Sequence, residues 1–175
     1  EQYRRFGDER SQPFHDLLAR LGGSEPIGRA VDLGCGPGEL TAMAARVLSI
    51  DRMVGIDNSS AMLESAREHA SSTVGFERGD ITSWTSAGDH DLVLAAASLQ
   101  WVPDHRAVLE LWTAALRPGG RLAVQVPANA HASTHVVAAR LAQTEPHLSA
   151  FGAAGAPPDP VAHNVLAPDE YARIL

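Results

Sequence analysis

The sequence contains no lysine: its 14 cationic side chains are all arginine. That excludes chemistry built on a Schiff-base lysine or a phosphate-loop lysine. One cysteine, Cys35, is present, so neither an intrachain disulfide nor a multi-cysteine zinc site can form. Positive charge is scarce as a whole. The arginines face 21 Asp and Glu, a net charge of −7, and a general nucleic-acid binder needs the opposite balance. No apolar run approaches the roughly 18–20 residues of a membrane span. The start, Glu1-Gln2-Tyr3-Arg4-Arg5, has no apolar signal region. The expectation is a soluble cytoplasmic protein without nucleic-acid or membrane partners.

What is present fits one globular domain. The chain has 175 residues, 45% hydrophobic and 20% charged, which is ordinary for a folded core. Ser11-Gln12-Pro13 can start a first helix that runs to Gly22-Gly23, with Phe14, Leu17, Leu18 and Leu21 at helical spacing. Strand candidates are Arg29–Leu33, Met53–Ile56, Val74–Glu77, Asp91–Ala97 and Leu122–Val126. Between them, helices are expected over Glu39–Val47, Ser59–His69 and residues 105–116, the last capped by Asp104. Pro118-Gly119-Gly120 reads as a turn. Thr134–Gln143 and Pro168–Leu175 look helical, with a loop over residues 152–160. Strands alternating with helices predict a parallel sheet covered on both faces, and right-handed crossovers favour a doubly wound, Rossmann-like α/β fold.

The most informative stretch is Val31-Asp32-Leu33-Gly34-Cys35-Gly36-Pro37-Gly38. Glycines at the end of a first strand let the backbone turn tightly and approach a ligand closely. Asp57 ends the second strand, 19 residues after Gly38. Nucleoside sites place an acid at about that distance to accept both ribose hydroxyls. The nicotinamide fingerprint spaces its glycines Gly-x-Gly-x-x-Gly, whereas this loop is one residue tighter.

The loop resembles motif I of the class I S-adenosylmethionine-dependent methyltransferases. Gly55-Ile56-Asp57-Asn58-Ser59 resembles their ribose-binding motif and Gly79-Asp80-Ile81 their adenine-binding pair. Asp91–Leu94 is similar to the fourth strand, and Leu116-Arg117-Pro118-Gly119-Gly120 to the turn before the fifth. More specific stretches resemble the trans-aconitate 2-methyltransferases. These are Tyr3-x-x-Phe6 through Glu9-Arg10-Ser11-x-Pro13, Leu99-Gln100-Trp101-Val102-Pro103-Asp104-His105 and Leu122–Pro127. Ala95-Ala96-Ala97 departs from the many relatives that carry an Asn near position 96. The family's sheet normally ends in an antiparallel hairpin, which the resemblance implies is missing from these 175 residues.

That resemblance implies S-adenosyl-L-methionine as cofactor, with Asp32, Gly34, Cys35, Gly36, Pro37 and Gly38 around its methionine part and ribose. Asp57, Asn58 and Ser59 would take the ribose, Met62, Asp80 and Ile81 the adenine, and Ala96 or Ala97 the methionine amino group through a backbone carbonyl. Gln100, Trp101 and His105 would stand on the catalytic side, at the carboxyl edge of the fourth strand, although Trp101 could equally be core. Arg4, Arg5 and Arg10 would bind a carboxylate substrate if residues 1–28 act as a helix and lid. Residues 29–127 would then be the cofactor-binding core, and 128–175 the start of substrate-side helices. A carboxylate nucleophile is ionised near neutral pH, so no general base is expected. His131 and His135 lack a third ligand, and no metal is expected.

The leading expectation is a monomeric methyltransferase acting on a carboxylate of a small acid such as trans-aconitate. Other readings remain: a different small O, N or C acceptor, a non-catalytic S-adenosylmethionine-binding module, and a nicotinamide-dependent oxidoreductase, which the loop spacing disfavours.

Overall fold

A computed structural model describes residues 7–22, 25–130, 132–152, 155–156 and 163–175, with side chains from residue 11 onward. Five strands, β1 (Arg29–Leu33), β2 (Arg52–Asp57), β3 (Val74–Arg78), β4 (His90–Ala96) and β5 (Leu116–Gln125), form one sheet in the order β3-β2-β1-β4-β5. All neighbouring pairs are parallel. The winding reverses between β1 and β4, and in such sheets ligands bind at the carboxyl ends of the strands beside that switch point.

Both faces are covered, as a parallel sheet requires. Alternation along β4 sorts its residues: Leu92 and Leu94 enter one core, Val93 and Ala95 the other. The first core receives Phe14, Leu18 and Leu21 from α1 (Gly7–Leu21) and Ala44 and Ala45 from α2 (Glu39–Val47). The second receives Val108, Leu109 and Trp112 from α4 (His105–Ala114). Asp104 caps α4 by accepting from the Ala107 amide at 3.1 Å, which satisfies one of its orphan N–H groups. Between β2 and β3 lies α3 (Ser60–Ala66), continued by a 3-10 turn over Arg67–His69. After the sheet come α5 (Ser133–Ala142), the short α6 (His147–Ala150) and α7 (Pro168–Ile174). No helix among the described residues is long and apolar enough to cross a membrane.

The doubly wound expectation matches this architecture, and the departures have local causes. Helix α1 starts at Gly7 rather than Ser11 and carries Pro13 inside it. An internal proline costs about 3 kcal/mol, but Phe14, Leu18 and Leu21 are buried and contribute roughly 1.5–3 kcal/mol each. From Phe14 onward α1 is therefore a core helix; residues 1–6 of the segment 1–28 expected as helix and lid lie outside the described part. Strand β5 begins at Leu116, not Leu122. The turn expected at Pro118–Gly120 is an excursion within it: pairing passes from His90↔Leu116 to Leu92↔Arg121, with Gly119 at φ +81. Helix α6 was not foreseen, and most of the loop expected over 152–160 lies outside the described residues.

Two glycines of the loop after β1 meet different constraints. Gly38 has φ +81, and a Cβ there would stand 2.6 Å from Phe76 Cζ and 2.8 Å from Ala66 Cβ. Gly36 has φ +54, with open space where its Cβ would be. Gly38→Ala is therefore expected to destabilise by about 2–4 kcal/mol, combining left-handed strain with overpacking. Gly36→Ala should cost only the strain, about 1–2 kcal/mol. Urea unfolding of both variants checks the difference, and equal losses would contradict it.

Candidate functional site

A cavity of about 810 Å3 opens at the carboxyl ends of β1, β2 and β4, within the size range of small-molecule sites. The end of β2 grips the glycine loop. The Ile56 carbonyl accepts from the Gly34 amide at 2.8 Å and the Cys35 amide at 3.0 Å. The Asp57 carboxylate then accepts from the Gly36 amide through Oδ2 at 2.9 Å and from the Ser59 amide through Oδ1 at 2.8 Å. The Gly38 amide donates to the Cys35 carbonyl at 3.2 Å. Every N–H of Gly34–Gly38 is thus engaged within the protein, since Pro37 has none. A pyrophosphate-cradling loop needs those donors free. Asp57 retains acceptor capacity, because a carboxylate has about four lone-pair sites.

The next wall is the loop after β3. Thr82 donates to Asp80 Oδ1 through its amide at 2.8 Å and its hydroxyl at 2.7 Å. Those bonds hold the exposed Asp80 carboxyl below its usual range. Trp112, fully buried in α4, donates its indole N–H to the Ile81 carbonyl at 3.0 Å. Opposite lie Ala97, Ser98, Trp101 and Val102. The Ser98 hydroxyl donates to the Leu33 carbonyl at 2.6 Å. A Cβ on Gly34 would fall on the Ser98 side chain, so only glycine lets β1 and β4 close here. Ala97 adopts φ +51, uncommon for a residue with a Cβ and often associated with binding sites.

Of the residues singled out from sequence, Gly34, Gly36, Pro37, Asp57, Asn58, Met62, Asp80, Ile81, Ala97 and Trp101 line this cavity together. Others do not, for physical reasons. Asp32 is 3% exposed and accepts from the Thr41 hydroxyl at 2.6 Å, so it ties β1 to α2 beneath the loop. Cys35 is buried, its thiol pushed far up by burial and by the charges of Asp32 and Asp57, which makes it a packing residue. Gly38 packs against Phe76 and Ala66. Ser59 acts through its backbone on Asp57 and caps α3. Ala96 pairs with Gln125 in the sheet. Gln100 is buried, its amide nitrogen turned onto the Ala97 carbonyl at 2.7 Å. His105 is buried with Nδ1 2.7 Å from the Tyr171 hydroxyl. Arg4 and Arg5 lie outside the described residues, as do the Arg10 side chain and His131.

Several lining residues were missed: Glu39, Ser65, Glu68, His69, Gly79, Thr82, Ser98 and Val102. Ser65 and His69 repeat from Met62 at three and seven residues, one helical face, so that periodicity was a usable signal. Ser98 had none, because its role depends on a strand 65 residues away. Among the described residues, four carboxylates line the cavity (Glu39, Asp57, Glu68 and Asp80) and no arginine does. That electrostatic sign suits a cationic ligand.

The parallel order 3-2-1-4-5 with a glycine loop and a β2 acid defines a Rossmann-like class I methyltransferase fold. The chain belongs to the S-adenosylmethionine-dependent methyltransferases: the family model described as a methyltransferase domain matches residues 30–120. It is 44% identical over 146 residues to the trans-aconitate 2-methyltransferase of Mycobacterium sp. (strain KMS), covering 83% of this chain and 56% of that protein. The Deinococcus radiodurans trans-aconitate 2-methyltransferase is 42% identical over 180 aligned positions, covering 100% of this chain and 66% of that one. A Thiobacillus denitrificans S-adenosylmethionine-dependent methyltransferase, solved in complex with S-adenosyl-L-homocysteine, superposes with a TM-score of 0.55 at 28% identity, covering 68% of this chain and 52% of that one. The chain thus spans little more than half the length of the first curated relatives it matches.

Asp57→Ala removes an acceptor from two backbone amides and from any ribose hydroxyls. Hydrogen bonds to a charged group contribute about 1.5–3 kcal/mol each, so affinity for S-adenosylhomocysteine should fall at least about tenfold. Calorimetric titration checks this, and an unchanged affinity would remove Asp57 from the site. The buried Asp32 has its pKa raised to about 6 from 3.8, by burial first and by Asp57, against the Thr41 hydrogen bond. Its native state holds the proton more tightly than the unfolded chain. Asp32 therefore supports stability most below pH 3.8, and that share is lost as pH rises through 6. Relative to Asp32→Asn, the wild type should lose about 2 kcal/mol of stability between pH 4 and 8. Urea unfolding at both pH values measures it; a parallel pH response would sink the assignment.

Proposed function

We propose that the protein transfers a methyl group from S-adenosyl-L-methionine to a carboxylate of a small acid such as trans-aconitate. The observation that carries the cofactor half is the loop itself. Its amides are consumed by Ile56, Asp57 and Cys35, and its cavity is lined by carboxylates. That donor set fits a ligand bearing hydroxyls and positive charge, not a pyrophosphate, so the nicotinamide reading loses its anchor.

The residues present fit the cofactor. Asp57 has lone pairs left for ribose hydroxyls, Asp80 is exposed and held in orientation by Thr82, and Met62 and Ile81 offer apolar surface beside it. Gly36 leaves open space at the loop. When bound, S-adenosylmethionine supplies an electrophilic methyl group on a sulfonium. The protein's task is then to hold a carboxylate in line with it and exclude water. Proximity and orientation of this kind can supply up to about 7–11 kcal/mol. No base is needed, because a carboxylate is already ionised at neutral pH.

The acceptor half rests on the relatives' names and on arginine chemistry. A tricarboxylate wants bidentate arginines, and none lines the described cavity. This reading therefore assigns that role to Arg4, Arg5 and Arg10, which precede the core. The acidic lining favours one second reading, in which the acceptor is a neutral or cationic small molecule methylated at O or N.

The deciding experiment supplies isotopically labelled S-adenosylmethionine with trans-aconitate and follows the monomethyl ester. Ester formation is expected, with KM for trans-aconitate raised about tenfold or more in Arg10→Ala, as for a lost charge-assisted contact. Cofactor binding without transfer to trans-aconitate, but with transfer to a neutral or amine acceptor, would replace the first reading by the second. An unchanged KM would release Arg10.

A further inference from the structure

The two sides of the cavity are held in place differently. The cofactor loops are braced by contacts close in the sheet, whereas the wall carrying Trp101, tied to β1 through Ser98, is held as well by a segment more than sixty residues away. Trp101 ends the 3-10 turn Leu99–Trp101, lines the cavity, and is 66% exposed. So large an exposed indole has little packing of its own to fix it, and its position follows its backbone.

That backbone is gripped at two points. Asn164 Nδ2 donates to the Gln100 carbonyl at 2.9 Å. Four residues beyond Trp101, the His105 ring meets Tyr171, with ring centroids 5.7 Å apart and planes 19° apart. The Tyr171 hydroxyl accepts from the Leu166 amide at 3.3 Å and is hydrogen-bonded to His105 Nδ1, 2.7 Å away. Burial lowers the His105 pKa, favouring the neutral ring. Tyr171 and Ile174 pack on the core that also contains Leu99, Val102 and Trp112. Neither Asn164 nor Tyr171 lines the cavity.

We propose that Asn164 and Tyr171 are positioning residues that set Trp101 against the cavity, so that the segment after the sheet shapes its acceptor side. The word acceptor rests on the methyltransferase reading; the grip itself does not.

The test uses the full chain labelled with 5-fluorotryptophan. Its three 19F resonances, from Trp84, Trp101 and Trp112, are assigned by single Trp→Phe changes. In ligand-free Asn164→Ala and Tyr171→Phe, the Trp101 resonance is expected to shift or broaden while the other two stay in place. Affinity for S-adenosylhomocysteine is expected to stay within about twofold of wild type, well under one decade of binding energy. A Trp101 resonance unmoved in both variants, or all three moving together as in general loosening, overturns the proposal. Affinity lost about tenfold or more would place the grip in cofactor binding and overturn the acceptor-side assignment. If Asn164→Ala fails to fold, Asn164→Asp keeps the shape and removes the donor, with the same outcomes. If S-adenosylhomocysteine moves no resonance of the wild type and shows no heat of binding, the methyltransferase reading fails, while the ligand-free variants still decide the grip.

Discussion

The site depends on the end of β2 more than on the glycine loop it holds. Three consecutive amides, from Gly34, Cys35 and Gly36, are taken by the Ile56 carbonyl and the Asp57 carboxylate. The same carboxylate then turns the chain into α3 by accepting from Ser59. One acid therefore fixes two loops relative to each other and still faces the cavity. The cost is that the loop has no donors left for a phosphate. A glycine-rich loop is often read as an anion cradle; here the charge logic is reversed, and the cavity presents carboxylates.

That reversal separates two problems that the net charge of −7 leaves merged. A cofactor carrying a sulfonium and an ammonium group is at home among Glu39, Asp57, Glu68 and Asp80. An acidic acceptor is not, because like charges in a partly desolvated cleft repel by kilocalories rather than tenths. Among the described residues no arginine lines the cavity, and three of those near the sheet have other partners. Arg29 pairs with Asp89 and Arg117 with Asp91, and Arg121 donates to the Leu21 carbonyl at 2.7 Å. The charge a tricarboxylate needs is not supplied by the described lining of the cavity.

How much could be read beforehand follows from the range of the interactions involved. Helix α2 was legible to its last residue, because Gly38 and Glu39 start it locally. The excursion at Pro118–Gly120 was legible as a turn but not as part of a strand, since pairing with β4 is not encoded nearby. Within the glycine loop, residue type alone could not distinguish a wall from a foundation. Gly36 faces open space, while Gly38 and Asp32 face Phe76 and Thr41. The Ser98 contact with Leu33 and the Trp112 bond to Ile81 carried no signal at all, because each joins segments that only the folded sheet brings together.

The same distinction of range divides the cavity. Its cofactor side is framed by the ends of adjacent parallel strands, so its geometry is set once the sheet forms. Its other wall hangs on the 3-10 turn Leu99–Trp101, and a turn of that length has few hydrogen bonds of its own. The Gln100 side chain closes back on the Ala97 carbonyl, at the end of β4, where the Ala97 amide donates to the Gln125 carbonyl of β5. Asn164 and Tyr171 add a second hold from outside the sheet. A segment after the sheet can therefore change without disturbing the cofactor loops while still moving Trp101. In a fold whose cofactor side is fixed by strand register, this is where a change of acceptor would meet the least structural resistance.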